Sequence, residues 1–411
     1  MAIGLDGAGL IHSLSLLVSI VNKRILASCE QVFTDWAHVS TFTKFRVFGL
    51  LAAAAIALSG CAASASSSTS TTSSSTKKID IKDVVLTNLS GDCAEYSASY
   101  QAKVTDIKRD LAFTSTFDVS DDKSECVITA NDIPNYDFND DTAHWAEPIA
   151  TQGITFTIPR NPKLASSKSE LSMMLYNAIM LNGVVLDELS NGCYKPDDSA
   201  ADKDGNVANG CGPTVDWRLD PMGKVKFGTD SHNGHTQPGG MYHYHGNPNA
   251  LFDPEETDKG SPVIGFAADG FPIYGPHYID AKTGTMLMAK SGYTLKQGKR
   301  PTGSSSPGGS YDGTYIQDYE FTNSGTLDEC NGMTVNGHYG YYVTDSYPYV
   351  MGCFSGTPHQ SFFKFANVVP WAIGGFTGLV AIAAGLTVWL IRRRRTKVRN
   401  RISTNLQGAT S

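Results

Sequence analysis

The chain has 411 residues and a formal net charge of −7, with 41% hydrophobic and 18% charged residues. Seven of its 33 basic residues, and no acidic one, lie after Ile391, so the rest of the chain sets 26 basic residues against 40 acidic ones. A surface that acidic excludes recognition of nucleic acid through its phosphates and suits cation binding or simple solubility.

In chain order, residues 1–61 have the pattern of an export signal. Lys44 and Arg46 precede an apolar run over residues 47–58, and small residues follow. Leu58-Ser59-Gly60-Cys61 is lipobox-like, which makes Cys61 a lipidation candidate; ordinary cleavage a few residues later is the alternative. The stretch before Val39 exceeds what a signal needs, and Val39 is a candidate start. Residues 62–76, all Ser, Thr or Ala, cannot bury apolar area and are expected to be a linker.

Residues 77–190 form a β-rich region: short alternating runs such as "LAFTSTFDV", "SECVITA" and "GITFTIP" are separated by Asp, Asn, Ser and Gly. Residues 171–181 ("LSMMLYNAIML") fit a short helix or a buried strand equally well. Over residues 191–364 the frequent Gly, Pro, Asn and Asp predict short strands and long loops, with a flexible loop at 299–313. Cys93, Cys126, Cys193, Cys211, Cys330 and Cys353 lie in the exported part, so three disulfides are expected. Fifteen pairings are possible; neighbour pairing is expected because each pair brackets one compact segment.

Residues 368–391 are uncharged and apolar, long enough to cross a hydrocarbon core of about 30 Å, and four arginines follow at once. The basic flank places the tail, residues 392–411, in the cytoplasm and the main domain outside the cell membrane. The expected fold is therefore mostly β: a single disulfide-stapled, loop-rich extracytoplasmic domain with a C-terminal transmembrane helix.

Chemistry concentrates in one segment. His232, His235, His243 and His245 are four of the ten histidines and fall within fourteen residues. In a strand, His243 and His245 project to one face and Tyr242 and Tyr244 to the other. Two imidazoles on one face can share an ion, with His232 and His235 supplying further nitrogens and Asp230 a carboxylate. A nitrogen-rich set suits copper or zinc. The competing reading gives the histidines a purely structural role, filling space and bonding buried backbone.

"GGMYHYHGNP" resembles the signature of the YHYH-domain family, and the blocks "VIGFAADGFPIYGP" and "LDECNGMTVNGHYGYYVTDSYPYVMGCFSG" continue the likeness in order between Cys193 and Gly356. The family is one of exported proteins defined by sequence, and the resemblance implies a transition metal, copper above all, at these histidines. It also implies a histidine between two aromatics where this chain has Gly340, with His338 as the substitute.

Around these blocks, Asp269 is expected in a turn, with a role in orienting a ligand histidine as the alternative. His277 is a further ligand candidate, and Asp328 and Glu329 are expected to face solvent. The acidic loop 197–206 lacks the glutamate that completes a calcium-binding loop. No GxSxG, HExxH, P-loop or dinucleotide motif is present, so an enzyme would have to work through the histidines. The two expectations are a membrane-anchored metal-binding protein and a non-catalytic surface module for a glycan or protein partner.

Overall fold

A computed structural model describes residues 78–364, apart from 226, 256 and 257. The signal, Cys61, the linker up to residue 77, the apolar segment 368–391 and the basic tail lie outside the described residues. Among those described, no helix is long and apolar enough to cross a membrane. The regular structure of the described residues is strand, with four short 3-10 turns as their only helical elements.

The first sheet has five strands in sequential order: Ile79–Asp80, Ala98–Asp106, Leu111–Asp121, Glu125–Ala130 and Ile154–Pro159. Alternation decides which face is buried. Phe117 and Val119, Cys126 and Ile128, and Phe156 and Ile158 point inward, while the residues between them are more exposed. Each such large side chain removed from water contributes about 1.5–3 kcal/mol.

The second sheet has eight strands, in the spatial order Gly234–Gln237, Met241–Tyr244, Val185–Leu186, Ala178–Met180, Val263–Ala267, Pro272–Tyr274, His338–Tyr342 and Gly332–Val335. Strands from both sides of residue 190 share this sheet. The strands at its centre are buried along their whole length, as in "VIGFA" at 263–267. Buried side chains of both sheets merge into one hydrophobic core. Gly183 lies at the junction: its φ is +83° and a Cβ there would stand 2.9 Å from the Ala130 methyl. Within 171–181 the helical alternative fails. The chain turns at 172–174, then forms the buried strand Ala178–Met180, whose neighbours supply partners on both sides.

The three disulfides join Cys93 to Cys126, Cys193 to Cys211 and Cys330 to Cys353, each cysteine with its neighbour in sequence. Loop 299–313, expected to be flexible, is tied down instead. The Arg300 guanidinium, 7% exposed, donates to the fully buried Asp318 and to Asp312, and accommodates the Gly308 carbonyl at 3.0 Å. An ion pair this deep holds the loop because breaking it would strand a buried charge.

Candidate metal centre

The histidine segment folds into an antiparallel hairpin in which His235 stands directly opposite His243. Directly opposed residues share a face, so both rings point the same way, and His245 joins them two residues on. The Nε2 atoms converge: His245 Nε2 lies 3.0 Å from His235 Nε2 and 3.2 Å from His243 Nε2. All three nitrogens fall within 4.8 Å of one another.

The other ring nitrogens decide the tautomers. His235 Nδ1 faces the Phe227 carbonyl at 2.8 Å, His243 Nδ1 the Met241 carbonyl at 3.4 Å and His245 Nδ1 the Glu188 carbonyl at 3.3 Å. A carbonyl oxygen only accepts, so a ring that bonds its carbonyl carries the proton on Nδ1 and leaves Nε2 with a bare lone pair; the contact is shortest at His235. Burial holds all three imidazoles below the usual histidine range, and for His243 and His245 the neighbouring imidazoles push further in the same direction. Three neutral acceptors thus face one another with no proton between them.

Facing lone pairs repel one another, and a cation at the centre would relieve that repulsion. An ion about 2.0–2.1 Å from each nitrogen at tetrahedral angles requires nitrogens roughly 3.3 Å apart, close to the 3.0 and 3.2 Å from His245 Nε2 to the other two. The donor set is uncharged and all-nitrogen, which fits zinc or copper and not calcium or magnesium. The carbonyls on Nδ1 orient the rings as the outer partners of ligand histidines do. Among the described residues no fourth His, Cys, Asp or Glu joins the cluster, so a tetrahedral ion held by these three donors would keep one coordination position open. Phe227, whose ring centroid is 6.2 Å from that of His245, shields one side.

Sequence placed three further candidates at the site, and the structure places them elsewhere. His232 sits in the turn before the hairpin, its Nδ1 2.8 Å from Asn249 Oδ1 and its ring 4.2 Å from that of Tyr136. Asp230 accepts from the backbone N–H of His232 and Gly234 and from the Tyr242 hydroxyl at 2.8 Å. Both belong to the tyrosine face: Tyr136 OH lies 2.6 Å from Tyr244 OH and 3.1 Å from Tyr242 OH. His277 begins a separate two-stranded hairpin, 277–279 with 286–288.

The remaining acids are structural. Asp269 receives Tyr341 OH at 2.6 Å and the Gly356 N–H at 2.8 Å, closing its turn without reaching a histidine. Asp328 caps the N–H groups of Cys330 and Gly332, Glu329 pairs with Lys168 at the surface, and Asp202 caps Asp204 and Asn206. Asp92 adjoins Cys93 and Cys126, but their sulfurs are joined to each other and its carboxylate is held by Arg160.

Sequence reasoning missed the carbonyls of Phe227 and Glu188, which no side-chain pattern announces. It also missed the buried acids after the Val185–Leu186 strand. Asp187 pairs with Lys364, and Glu188 Oε1 accepts the N–H groups of Val350 and Met351, while Glu188 Oε2 is buried without a partner among the described residues. Burial pushes both carboxyls above the usual range.

Fold and site together define a disulfide-stapled β protein built on a five-stranded and an eight-stranded sheet, with a three-imidazole cluster at the edge of the larger one. Residues 155–356, just under half of the chain, match the family model described as YHYH protein. The matched region holds all three imidazoles and the Glu188 carbonyl. No curated protein and no solved structure matches the chain.

Proposed function

We propose that this YHYH-domain protein binds one transition-metal ion, copper or zinc, through His235, His243 and His245. The observation that carries the reading is the convergence of three Nε2 lone pairs whose rings are locked by Nδ1–H donation to backbone carbonyls. When loaded, such a site supplies metal capture or, through its open position, a Lewis acid for hydrolysis or oxidation. The chain's own contribution is to hold three neutral imidazoles in place before the ion arrives, so that little ordering remains to be done on binding.

The test uses the full-length chain purified in detergent, incubated with zinc or copper, desalted and measured for metal. About one ion per chain is expected, and none in the His243→Ala/His245→Ala variant. Sub-stoichiometric metal in the wild type, or equal metal in both proteins, refutes the reading.

The same proposal places the domain outside the cell membrane, with residues 368–391 as the anchor. It rests on the uncharged span and its arginine flank. Retention of the full chain in membranes after carbonate washing, and release of a chain ending at Lys364, are the expected results; equal release of both contradicts anchoring.

A further inference from the structure

A cleft opens towards the other end of the eight-stranded sheet from the histidines. From the Met241 strand to the His338 strand is five strand spacings, about 24 Å at about 4.8 Å each. The cleft has a volume of about 930 Å³ and runs between the Pro272–Tyr274 strand, the turn at Asn336 and Gly337, residues 277–279 and the segment 160–164. That volume is at the upper end of what small-ligand sites offer.

Its chemistry has three parts. Tyr274 and Tyr342 stack at 5.0 Å, with Tyr278 edge-on to Tyr342 at 6.2 Å. Among the described residues, the hydroxyls of these three tyrosines make no hydrogen bond, and the buried His277 Nδ1 has no partner. Finally, the lining is basic in an acidic protein. Asp92 is its one carboxylate and is taken by Arg160, while Lys163 and Lys259 are exposed and have no carboxylate partner among the described residues. Aromatic surface, unspent hydroxyl and imidazole groups, and surplus positive charge together match a ligand with C–H faces, many hydroxyls and carboxylates.

We propose that this cleft binds an acidic oligosaccharide, a chain of uronic-acid type, with Tyr274 and Tyr278, backed by the buried Tyr342, packing against sugar rings and Lys163 and Lys259 meeting its carboxylates. The lysines are solvent-exposed, so their joint contribution is modest and screened by salt.

The experiment titrates the full-length chain with tetragalacturonate, with a neutral galactotetraose and with a tetraglutamate peptide. Tetragalacturonate is expected to bind at least about ten-fold more tightly than the other two. Lys163→Ala/Lys259→Ala should lose roughly five- to ten-fold of that affinity, and the wild type should lose a similar factor in 0.5 M salt. Tyr278→Ala should weaken the acidic sugar while leaving metal content unchanged. No binding, equal binding of the neutral sugar, preference for the peptide, or an unaffected double-lysine variant overturns the proposal. The lysine variants touch only exposed side chains, so a loss there is not a loss of folding.

Discussion

His235 and His243 are directly paired across the hairpin, and this register makes the cluster a three-ring site. A slip of one residue would turn one imidazole to the tyrosine face and leave two nitrogens, too few for tight binding. The hairpin turn therefore fixes the ligand count. At its tip Gly239 and Gly240 have φ of +92° and +76°, a conformation open to glycine at little cost.

The ligand set can be dissected one ring at a time. His235→Ala, His243→Ala and His245→Ala should each weaken zinc or copper affinity by at least about 100-fold, since removing an outer-shell partner alone commonly costs 10–100-fold. His232→Ala should leave affinity within about two-fold of wild type, because that ring packs on Tyr136. Competition against a chelator of known affinity measures all four. A His232→Ala loss as large as that of the other three would return the fourth ligand to the site.

Metal should also stabilise the fold, because the cluster exists only in the native hairpin. At a free ion concentration about 100 times Kd, linkage gives about 2.7 kcal/mol. For a domain of this size that corresponds to a rise in Tm of roughly 5–10 °C, reversed by a chelator. Calorimetry with and without zinc checks it, and an unchanged Tm in wild type beside measured stoichiometric binding would mean that the unfolded chain binds equally well.

Much of this was legible in the sequence. Period-two alternation fixes the facing of His243 and His245 and of Tyr242 and Tyr244, and the strands of the first sheet follow the same rule. Neighbour pairing of the cysteines followed from the segments they bracket, and the structure has all three bonds. What sequence could not supply was non-local. Whether His232 or His235 joins the cluster depends on hairpin register, and the residues that lock the tautomers act through main-chain oxygens. The aromatic cleft assembles residues from position 89 to position 342, which no local window contains.

Gly340 stands where the family resemblance implied a histidine, and the structure gives a steric reason for glycine here. A Cβ at that position would lie 2.5 Å from the Tyr274 ring and 2.9 Å from the Pro272 carbonyl oxygen. One of these is backbone of a paired strand and cannot move aside. Gly340→Ala should therefore cost about 1–3 kcal/mol, measured by chemical denaturation. His338 offers no replacement ligand: it is exposed, at the far end of the sheet from the cluster. A neutral Gly340→Ala would show that Tyr274 and the strand beneath it yield more easily than the packing implies.

Asp230 gives the metal-free protein a distinct pH signature. Burial raises its carboxyl to about 6, against the lowering effect of the Tyr242 hydroxyl and two backbone N–H groups. The unfolded value is about 3.9, so between about pH 4 and 6 the folded state holds a proton that the unfolded chain has lost. The stability tied to that proton is fully present below about pH 4 and is lost as pH rises through about 6. Asp230→Asn keeps an oxygen for the backbone donors, and Tyr242 can turn its own proton towards Tyr136, 3.1 Å away. The variant should match wild type near pH 4 and exceed it above pH 7 by up to about 3 kcal/mol, two pKa units at about 1.4 kcal/mol each. Urea unfolding of both proteins from pH 4 to 8 in the presence of a chelator makes the comparison, with the histidine titrations common to the two. Parallel curves would mean that Asp230 is ionised in the fold throughout, its three hydrogen bonds outweighing its burial.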